Sequence, residues 1–443
     1  MPTSRRPWLT LLSALLLPAT QAVFAEGEDI EELDIIRRAD TTQPVLTKVV
    51  KEDYLVVEGR YRSSAVKLES YKVADILRAD RPEEYNMALE RRQAGKLTVA
   101  ARFFLEALDR AKDKPWAREY CNFGLAEALY EAGHFAGYKG LTHDYRPPEA
   151  YYAEVIKANP RSRFLLESSV KRAICLIEQG KFGEAEKALQ EAERNIRTYK
   201  EDAAKLNDPK YRPAADRAET LVRLARAKQL ERKADQEQRG DYGAALSAAI
   251  AAQSSAQSGR FMDVYAEAVE IELRALVKGR DYAGAESRAL RIIEKYRANS
   301  DPDLIPMLPV AYTVLGRANF AMASQHETRN ATGPAQTAYA ESRWNYLQVL
   351  FQFFDREEYL GEATYYVALC NDKLKPVEPD AGERAVRYWL DVKRLFPNSD
   401  YAKRAADDLK RVGYVEPKKE PAKTELGPTI GPAAKKAEPP KKR

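Results

Sequence analysis

Histidine and cysteine are scarce in these 443 residues, three of each, and their placement sets what chemistry the chain can attempt. His134, His143 and His326 are not paired at metal-ligand spacing, and no Cys-x-x-Cys occurs, so no metal site and no metal cofactor is expected. His143 and Asp144 are neighbours in sequence, but adjacency does not orient a base towards its partner. There is no Gly-x-Ser-x-Gly nucleophile elbow and no phosphate-binding glycine loop. Carboxylates abound, 67 in all, and none is singled out as half of a glycosidase-type pair. Cys121, Cys175 and Cys370 each sit within a helical apolar pattern and read as buried small hydrophobes. A Cys121–Cys175 bridge stays open if their segments stack. Asn330-Ala331-Thr332 is a glycosylation sequon, a pattern that also arises by chance. The inventory implies a protein that is not an enzyme, with no cofactor.

The ends of the chain read as address and tail. Arg5 and Arg6 precede an apolar run from Leu9 to Leu17, and Val23-Phe24-Ala25 supplies the small residues of a secretory cleavage site, so residues 1–25 are expected to be a signal peptide removed before Glu26. The run is about half of what a bilayer core demands. The mature chain is therefore expected to be soluble and exported, periplasmic in a Gram-negative cell and otherwise secreted, with no transmembrane segment. Residues 26–44 read as a linker. At the other end, residues 414–443 read as a disordered Pro/Lys-rich tail. From Glu416 onward it holds six of the 24 prolines, seven lysines, one arginine and four glutamates, about +4. The whole chain carries +5; without the leader arginines and the tail, the body from Glu26 to Val415 is near −1. A nucleic-acid-binding body would carry its own basic face, and none is expected here. Weak contact with anionic envelope polymers or lipid headgroups is assigned to the tail pairs Lys418-Lys419, Lys435-Lys436 and Lys441-Lys442.

The 390 residues between leader and tail exceed what one globular core normally holds, which leaves several domains or an elongated repeat. A recurring phrase favours the repeat. Ala88, Gly95, Ala100, Phe104 and Ala107 place a small residue, a turn glycine, then small, large and small residues on a second helix. Ala173, Gly180, Ala185, Leu189 and Ala192 do the same. Weaker copies hold Gly240, Ala245, Ala249 and Ala252, and Gly279 with Ala285. Phe182, Tyr242 and Tyr282 follow their turns. Glycine tolerates the left-handed conformation that ends a helix, and alanines let paired helices approach closely. One such hairpin cannot bury its apolar face, whereas a stack can. Near the C-terminus, Ala385, Trp389, Phe396, Pro397-Asn398-Ser399, Tyr401 and Ala405 spell a helix, a stop, a polar cap at Asn398 or Ser399, and a new helix.

These phrases resemble the tetratricopeptide (TPR) family over residues 82–413, and the last one resembles its exported, periplasmic members. The resemblance implies an α-helical solenoid that binds a protein or peptide partner. The departure is in spacing: the turn glycines, Gly133 included, stand 38, 47, 60 and 39 residues apart, where the family repeats every 34. Several helices must be longer than usual, and two insertions, 136–148 and 199–213, interrupt the stack. The aromatic stretch from Trp344 to Tyr366, with Tyr346, Phe351, Phe353, Phe354, Tyr359 and Tyr365, reads as core, with a ligand platform as the alternative.

Residues 45–80 do not read as helix. Val49-Val50, Leu55-Val56-Val57, Tyr61, Val66, Leu68, Val73 and Ile76 are separated by polar turns and predict three or four short antiparallel strands. So small a module must pack on the first hairpin, and Pro82 marks the switch to helix. The expectation is thus an all-α, TPR-like helical-hairpin solenoid with a small N-terminal antiparallel β module and a disordered tail. Its function is that of an exported scaffold holding a protein partner in its groove, in cell-envelope assembly or maintenance. The alternatives are a permanent structural subunit of an envelope complex, or an α-helical enzyme acting on a cell-wall polymer.

Overall fold

A computed structural model describes residues 33–62, 64–138, 143–237, 240–300 and 302–415. The expected signal peptide, and the tail lysines Lys418, Lys419, Lys435, Lys436, Lys441 and Lys442, lie outside the described residues. Among the described residues, no helix is long and apolar enough to cross a membrane.

The described residues open with five antiparallel strands, β1 (Asp34–Arg38), β2 (Val45–Glu52), β3 (Val56–Tyr61), β4 (Ser64–Glu69) and β5 (Val73–Leu77), in the order β4-β3-β2-β1-β5. β1 lies in what the sequence reads as linker. Its only apolar residues are Ile35 and Ile36, flanked by charges, too short a run to signal a strand. Pairing with β2 on one side and β5 on the other supplies what propensity does not. Ile36, Val57 and Ile76 are fully buried and join Ala100, Phe104 and Ala107 in one core, so the sheet packs on the first hairpin as its size requires.

Among the described residues, fifteen α-helices follow. They pair as α1 (Glu83–Gln93) with α2 (Leu97–Arg110), α3 (Pro115–Tyr138) with α4 (Arg146–Ala158), α5 (Leu165–Glu178) with α6 (Phe182–Ala204), and α7 (Arg212–Gln236) with α8 (Tyr242–Gly259). The series continues with α9 (Met262–Lys278) and α10 (Tyr282–Asn299), α11 (Leu308–Thr328) and α12 (Thr332–Gln352), α13 (Glu357–Leu374) and α14 (Ala381–Leu395), and ends on α15 (Asp400–Arg411). Ala88, Ala100, Phe104, Ala107, Ala173, Ala185, Leu189, Ala192, Ala245, Ala249 and Ala285 have no exposed surface, as the hairpin phrase demands. The wide spacing between Gly180 and Gly240 is taken up by α6 and α7, 23 and 25 residues long.

The turns divide by mechanism. Gly95 and Gly180 take φ of +71° and +73°, where a side chain is strained. At the fourth turn the left-handed residue is Arg280, φ 64°, while Gly279 stays helical, so glycine there is not what ends the helix. Before α15, Ser399 Oγ accepts from the Ala402 amide at 3.1 Å and is the cap.

The odd-numbered helices touch one another in sequence, α5 on α7, α7 on α9, α9 on α11 and α11 on α13, and form the inner layer of the stack. The solenoid also closes on itself, because α13 lies against α3. The second insertion is a dock for the sheet. Tyr211 Oη donates to the Leu55 carbonyl at 2.7 Å, Tyr54 Oη to Asp202 at 2.8 Å and Tyr71 Oη to Asp208 at 2.9 Å. The Tyr54–Tyr199 and Tyr71–Tyr211 rings meet edge-on at 5.2 and 5.0 Å. The sheet thereby ties the first hairpin to the α6–α7 junction. Cys121, Cys175 and Cys370 are free, buried thiols; Cys121 and Cys175 belong to different clusters of the core, which leaves them unbridged.

Candidate functional site: a charged chamber inside the solenoid

The charge that the sequence scatters along the chain is sorted by the stack onto the inner helices, where ion pairs join α1 through α9 in odd-numbered succession and α11 to α13. Arg92 of α1 reaches Glu127 of α3 at 3.0 Å, and Lys171 of α5 reaches the same carboxylate at 2.7 Å. Arg232 of α7 holds Glu178 of α5 at 2.6 Å, and Lys228 of α7 pairs with Glu267 of α9. Arg317 of α11 grips Glu362 of α13 through Nε and Nη2. Partners stand 35 to 54 residues apart in sequence, one repeat or more, so each pair fixes the register of one hairpin on the next.

Glu231 is the most deeply set of these carboxylates, with 1% of its side chain exposed. It accepts from Arg274 Nε at 2.9 Å and Nη2 at 2.7 Å, and from Lys278 Nζ at 3.1 Å. Burial alone would push its carboxyl up; the adjoining Arg274 and Lys278 charges outweigh burial and hold it far below the usual carboxylate range. Arg274 is further flanked by Glu270, and Lys278 by Asp235 at 2.8 Å.

Five of these cations, Lys228, Arg232, Arg274, Lys278 and Arg317, turn towards a chamber of about 300 Å³ together with Glu178, Glu267 and Glu270. Val310, Val314 and Tyr359 contribute apolar surface from α11 and α13. The remaining wall comes from the other end of the solenoid: Gly133 of α3 and, from the first insertion, His143 and Tyr145. Gly133 is small for a reason, since a Cβ there would run into the His143 ring and come within 2.8 Å of Tyr145 Cζ. The imidazole packs edge-on against Tyr145 at 4.9 Å. Its Nε2 is buried and has no hydrogen-bond partner. Burial lowers the His143 pKa below its usual value, only partly offset by Asp144 and the Leu129 carbonyl, so the ring is neutral at pH 7.

Of the three histidines, then, the structure places His143 in the chamber wall. His326 lies in the last turn of α11, and the side chain of His134 is outside the described residues. The first insertion is legible in the sequence as an interruption of the stack; the inner cations are not, because nothing local marks Arg274 or Arg317 as inward-facing. The aromatic stretch divides: Tyr346, Tyr359 and Tyr365 are core, while Trp344, Phe351 and Phe354 are 64, 72 and 72% exposed. Among the described residues no cluster of His, Cys, Asp and Glu has the makings of a metal site.

No protein-family profile and no curated protein matches this sequence. Three solved structures align with it at low scores. A monomeric mutant of IFIT1 with Gppp-AAAA is 15% identical over 74% of this chain, with TM-score 0.41, and this chain spans 62% of that one. A STAND signal-transduction ATPase with a tetratricopeptide repeat sensor, from Pyrococcus horikoshii, is 13% identical over 74% of this chain and 48% of its own, TM-score 0.38. The P58(IPK) TPR domain is 16% identical over 75% of this chain and 88% of its own, TM-score 0.21. The class that the fold defines is a TPR-like helical-hairpin solenoid with a small N-terminal sheet. At these scores none of the three bears on what the chain binds.

Proposed function

We propose that this protein is an exported, non-enzymatic scaffold that holds a protein partner on the inner side of its solenoid, in cell-envelope assembly or maintenance. The observation that carries the reading is the inner layer itself. Six helices, α3 to α13 by odd number, present a rigid face of paired charges around one chamber, and nothing in it is arranged as nucleophile, base and oxyanion donor. Paired charges on a rigid support favour specificity of recognition over chemistry. Solenoids use such inner surfaces for extended binding. The test is affinity purification of the tagged full chain from its native host, with mass spectrometry, beside Arg232→Glu and Arg317→Glu variants. Export is tested in the same preparation by N-terminal sequencing, which should begin at or near Glu26. A partner captured equally by parent and both variants refutes the inner face; recovery only in detergent extracts with residues 9–17 retained refutes export.

One observation favours a second reading, a permanent structural subunit. Trp344 and Phe351 are two turns apart on α12, and with Phe354 they leave a run of large aromatic surface uncovered. If Trp344→Ser with Phe351→Ser abolishes capture while the inner-face variants do not, the subunit reading replaces the scaffold. The tail is assigned weak electrostatic contact with an anionic envelope component. Removing residues 416–443 should leave the circular dichroism spectrum unchanged and reduce pull-down by sacculi or anionic liposomes at low salt. Equal binding by both forms removes that role.

A further inference from the structure

The N-terminal sheet has two edges, and the protein treats them differently. At β5 the edge is closed: Arg163 Nη2 donates to the Val73 carbonyl at 2.8 Å and to the Ala74 carbonyl at 3.3 Å, and the Asp75 carboxylate accepts from the Ile76 amide at 2.8 Å. β4 ends the sheet on the other side. It pairs with β3 through all six of its residues without a bulge, from Ser64 opposite Tyr61 to Glu69 opposite Val56. The Ser70 amide, bonded to the Leu55 carbonyl at 2.9 Å, fixes the phase of this ladder. Hydrogen-bonded pairs recur at every second residue of an antiparallel ladder, so Ser64, Val66 and Leu68 turn their backbone groups to β3, while Ala65 and Lys67 turn theirs away from the sheet. Among the described residues no strand, helix or side chain bonds to the Ala65 and Lys67 amides. An unpaired edge of this kind is a template for a further strand.

The two faces beside the edge say what such a strand must carry. On the outer face the register sets Lys48 of β2 directly opposite Arg60 of β3, with Ala65 of β4 beyond Arg60, and all three are exposed. Like charges placed opposite one another destabilise a ladder. Among the described residues neither Lys48 nor Arg60 has an ion-pair partner. Ala65 is too small to screen Arg60 from the open edge. Lys67 stands on the same face, 72% exposed, with Glu58 at 3.4 Å. Strands lie about 5 Å apart, so a carboxylate on a strand beside β4 is next to Lys67 and within the combined span of an arginine and a glutamate side chain from Arg60. On the inner face Val66 and Leu68 are half-buried, and Leu68 packs against the core that the sheet shares with the first hairpin. Alternate residues of an added strand lie against this pair and extend its apolar layer. A second copy of β4 suits the edge less well, because it brings Lys67 and Arg60 of both chains to one seam.

We propose that β4 is a docking edge for an extended segment of a partner protein that alternates Asp or Glu with aliphatic residues. The segment adds to the five strands as a sixth, its carboxylates over Lys67 and Arg60 and its apolar side chains over Val66 and Leu68. This surface lies on the sheet, apart from the inner side of the solenoid, and stands or falls independently of it.

The experiment is fluorescence polarisation on the full chain with a labelled octapeptide that alternates glutamate with valine. The controls are an octapeptide alternating lysine with valine, and one with the glutamates grouped ahead of the valines. The alternating acidic peptide should bind with a Kd of about 100 µM or tighter, and about tenfold or more tightly than either control. On binding to the unmodified protein, hydrogen exchange should slow at the Ala65 and Lys67 amides and change little at Val66 and Leu68, which are already paired. Ala65→Pro removes a donor that β3 does not use, so it should keep the parent melting temperature and weaken binding about tenfold or more. Arg60→Glu should weaken it to a similar degree. The exchange measurement keeps the test valid if a variant fails to fold. The proposal is overturned if the acidic peptide does not bind by about 1 mM, tenfold above that Kd, if either control binds as tightly, if exchange at Ala65 and Lys67 does not slow, or if folded Ala65→Pro keeps the parent affinity. Two other occupants would also overturn it. Protection of those amides in the free chain that is lost on removing residues 26–32, which hold five carboxylates, assigns the edge to the chain's own N-terminal segment. A concentration-dependent dimer that Ala65→Pro abolishes assigns it to a second copy.

Discussion

Replacing Glu231 by glutamine is the sharpest test of the idea that the inner ion pairs hold the solenoid in register. The change is nearly isosteric but puts an amide among donors, Arg274 Nε and Nη2 at 2.9 and 2.7 Å and Lys278 Nζ at 3.1 Å, at a site 1% exposed. Breaking a buried pair on one side costs about 3–5 kcal/mol. Arg274 keeps Glu270 and Lys278 keeps Asp235, so the lower end, about 3 kcal/mol, is expected. At about 2–4 °C per kcal/mol for a chain of a few hundred residues, that is a fall in Tm of roughly 6–12 °C.

The pH dependence follows from the lowered carboxyl. Its folded pKa lies below the ordinary 4.5, so the pair stabilises the protein fully above that value, and the contribution drains away as pH falls towards the folded pKa. Urea unfolding of parent and Glu231→Gln should therefore show the whole deficit at pH 7 and a shrinking one below about pH 4.5. The double variant Glu231→Leu with Arg274→Met removes both charges together and should recover most of the loss, to within about 1.5 kcal/mol of the parent. A Glu231→Gln deficit under about 1 kcal/mol at pH 7, or one that is constant down to pH 3, would refute the reasoning.

Ala107→Leu and Ala192→Leu force methylenes into helix contacts with no exposed surface, and each should lower unfolding free energy by about 1–3 kcal/mol; parent-like melting of both would show that the hairpin register is misread. Tyr211→Phe removes the 2.7 Å bond to the Leu55 carbonyl and should cost about 1 kcal/mol, with hydrogen exchange in β3 and β4 faster than in α9; uniform protection would mean that the sheet does not depend on this dock. Burial pushes the Cys121 and Cys370 thiols up to about 12, so neither should react with iodoacetamide at pH 8 until denaturant is added; rapid native-state labelling would contradict their burial.

Much of the hairpin pattern is local, though Gly133, counted among the turn glycines, lies inside α3, and Trp344, Phe351 and Phe354 are exposed rather than core. Ala100, Phe104 and Ala107 sit one helical turn apart and share a face whatever the rest of the chain does, so the hairpin and its close packing are legible in the sequence alone. The strands β2 to β5 are likewise announced by their own β-branched runs. β1 is not: Ile35 and Ile36 become a strand only because two neighbours offer hydrogen bonds on both sides. The second insertion carries tyrosines and aspartates that look like an ordinary polar loop until Leu55 and Tyr71 arrive from more than a hundred residues away. The chamber is the extreme case. A helix with charge on several faces does not reveal which charges point inward, and Arg232, Arg274 and Arg317 each find their carboxylate on a different helix, 43 to 54 residues off. His143 shares a cavity with them only because α13 comes round to meet α3. Periodicity fixes the face of each helix from within its own few turns. The ring that brings those faces together depends on the summed rotations of every hairpin between, and only the tertiary structure contains that sum.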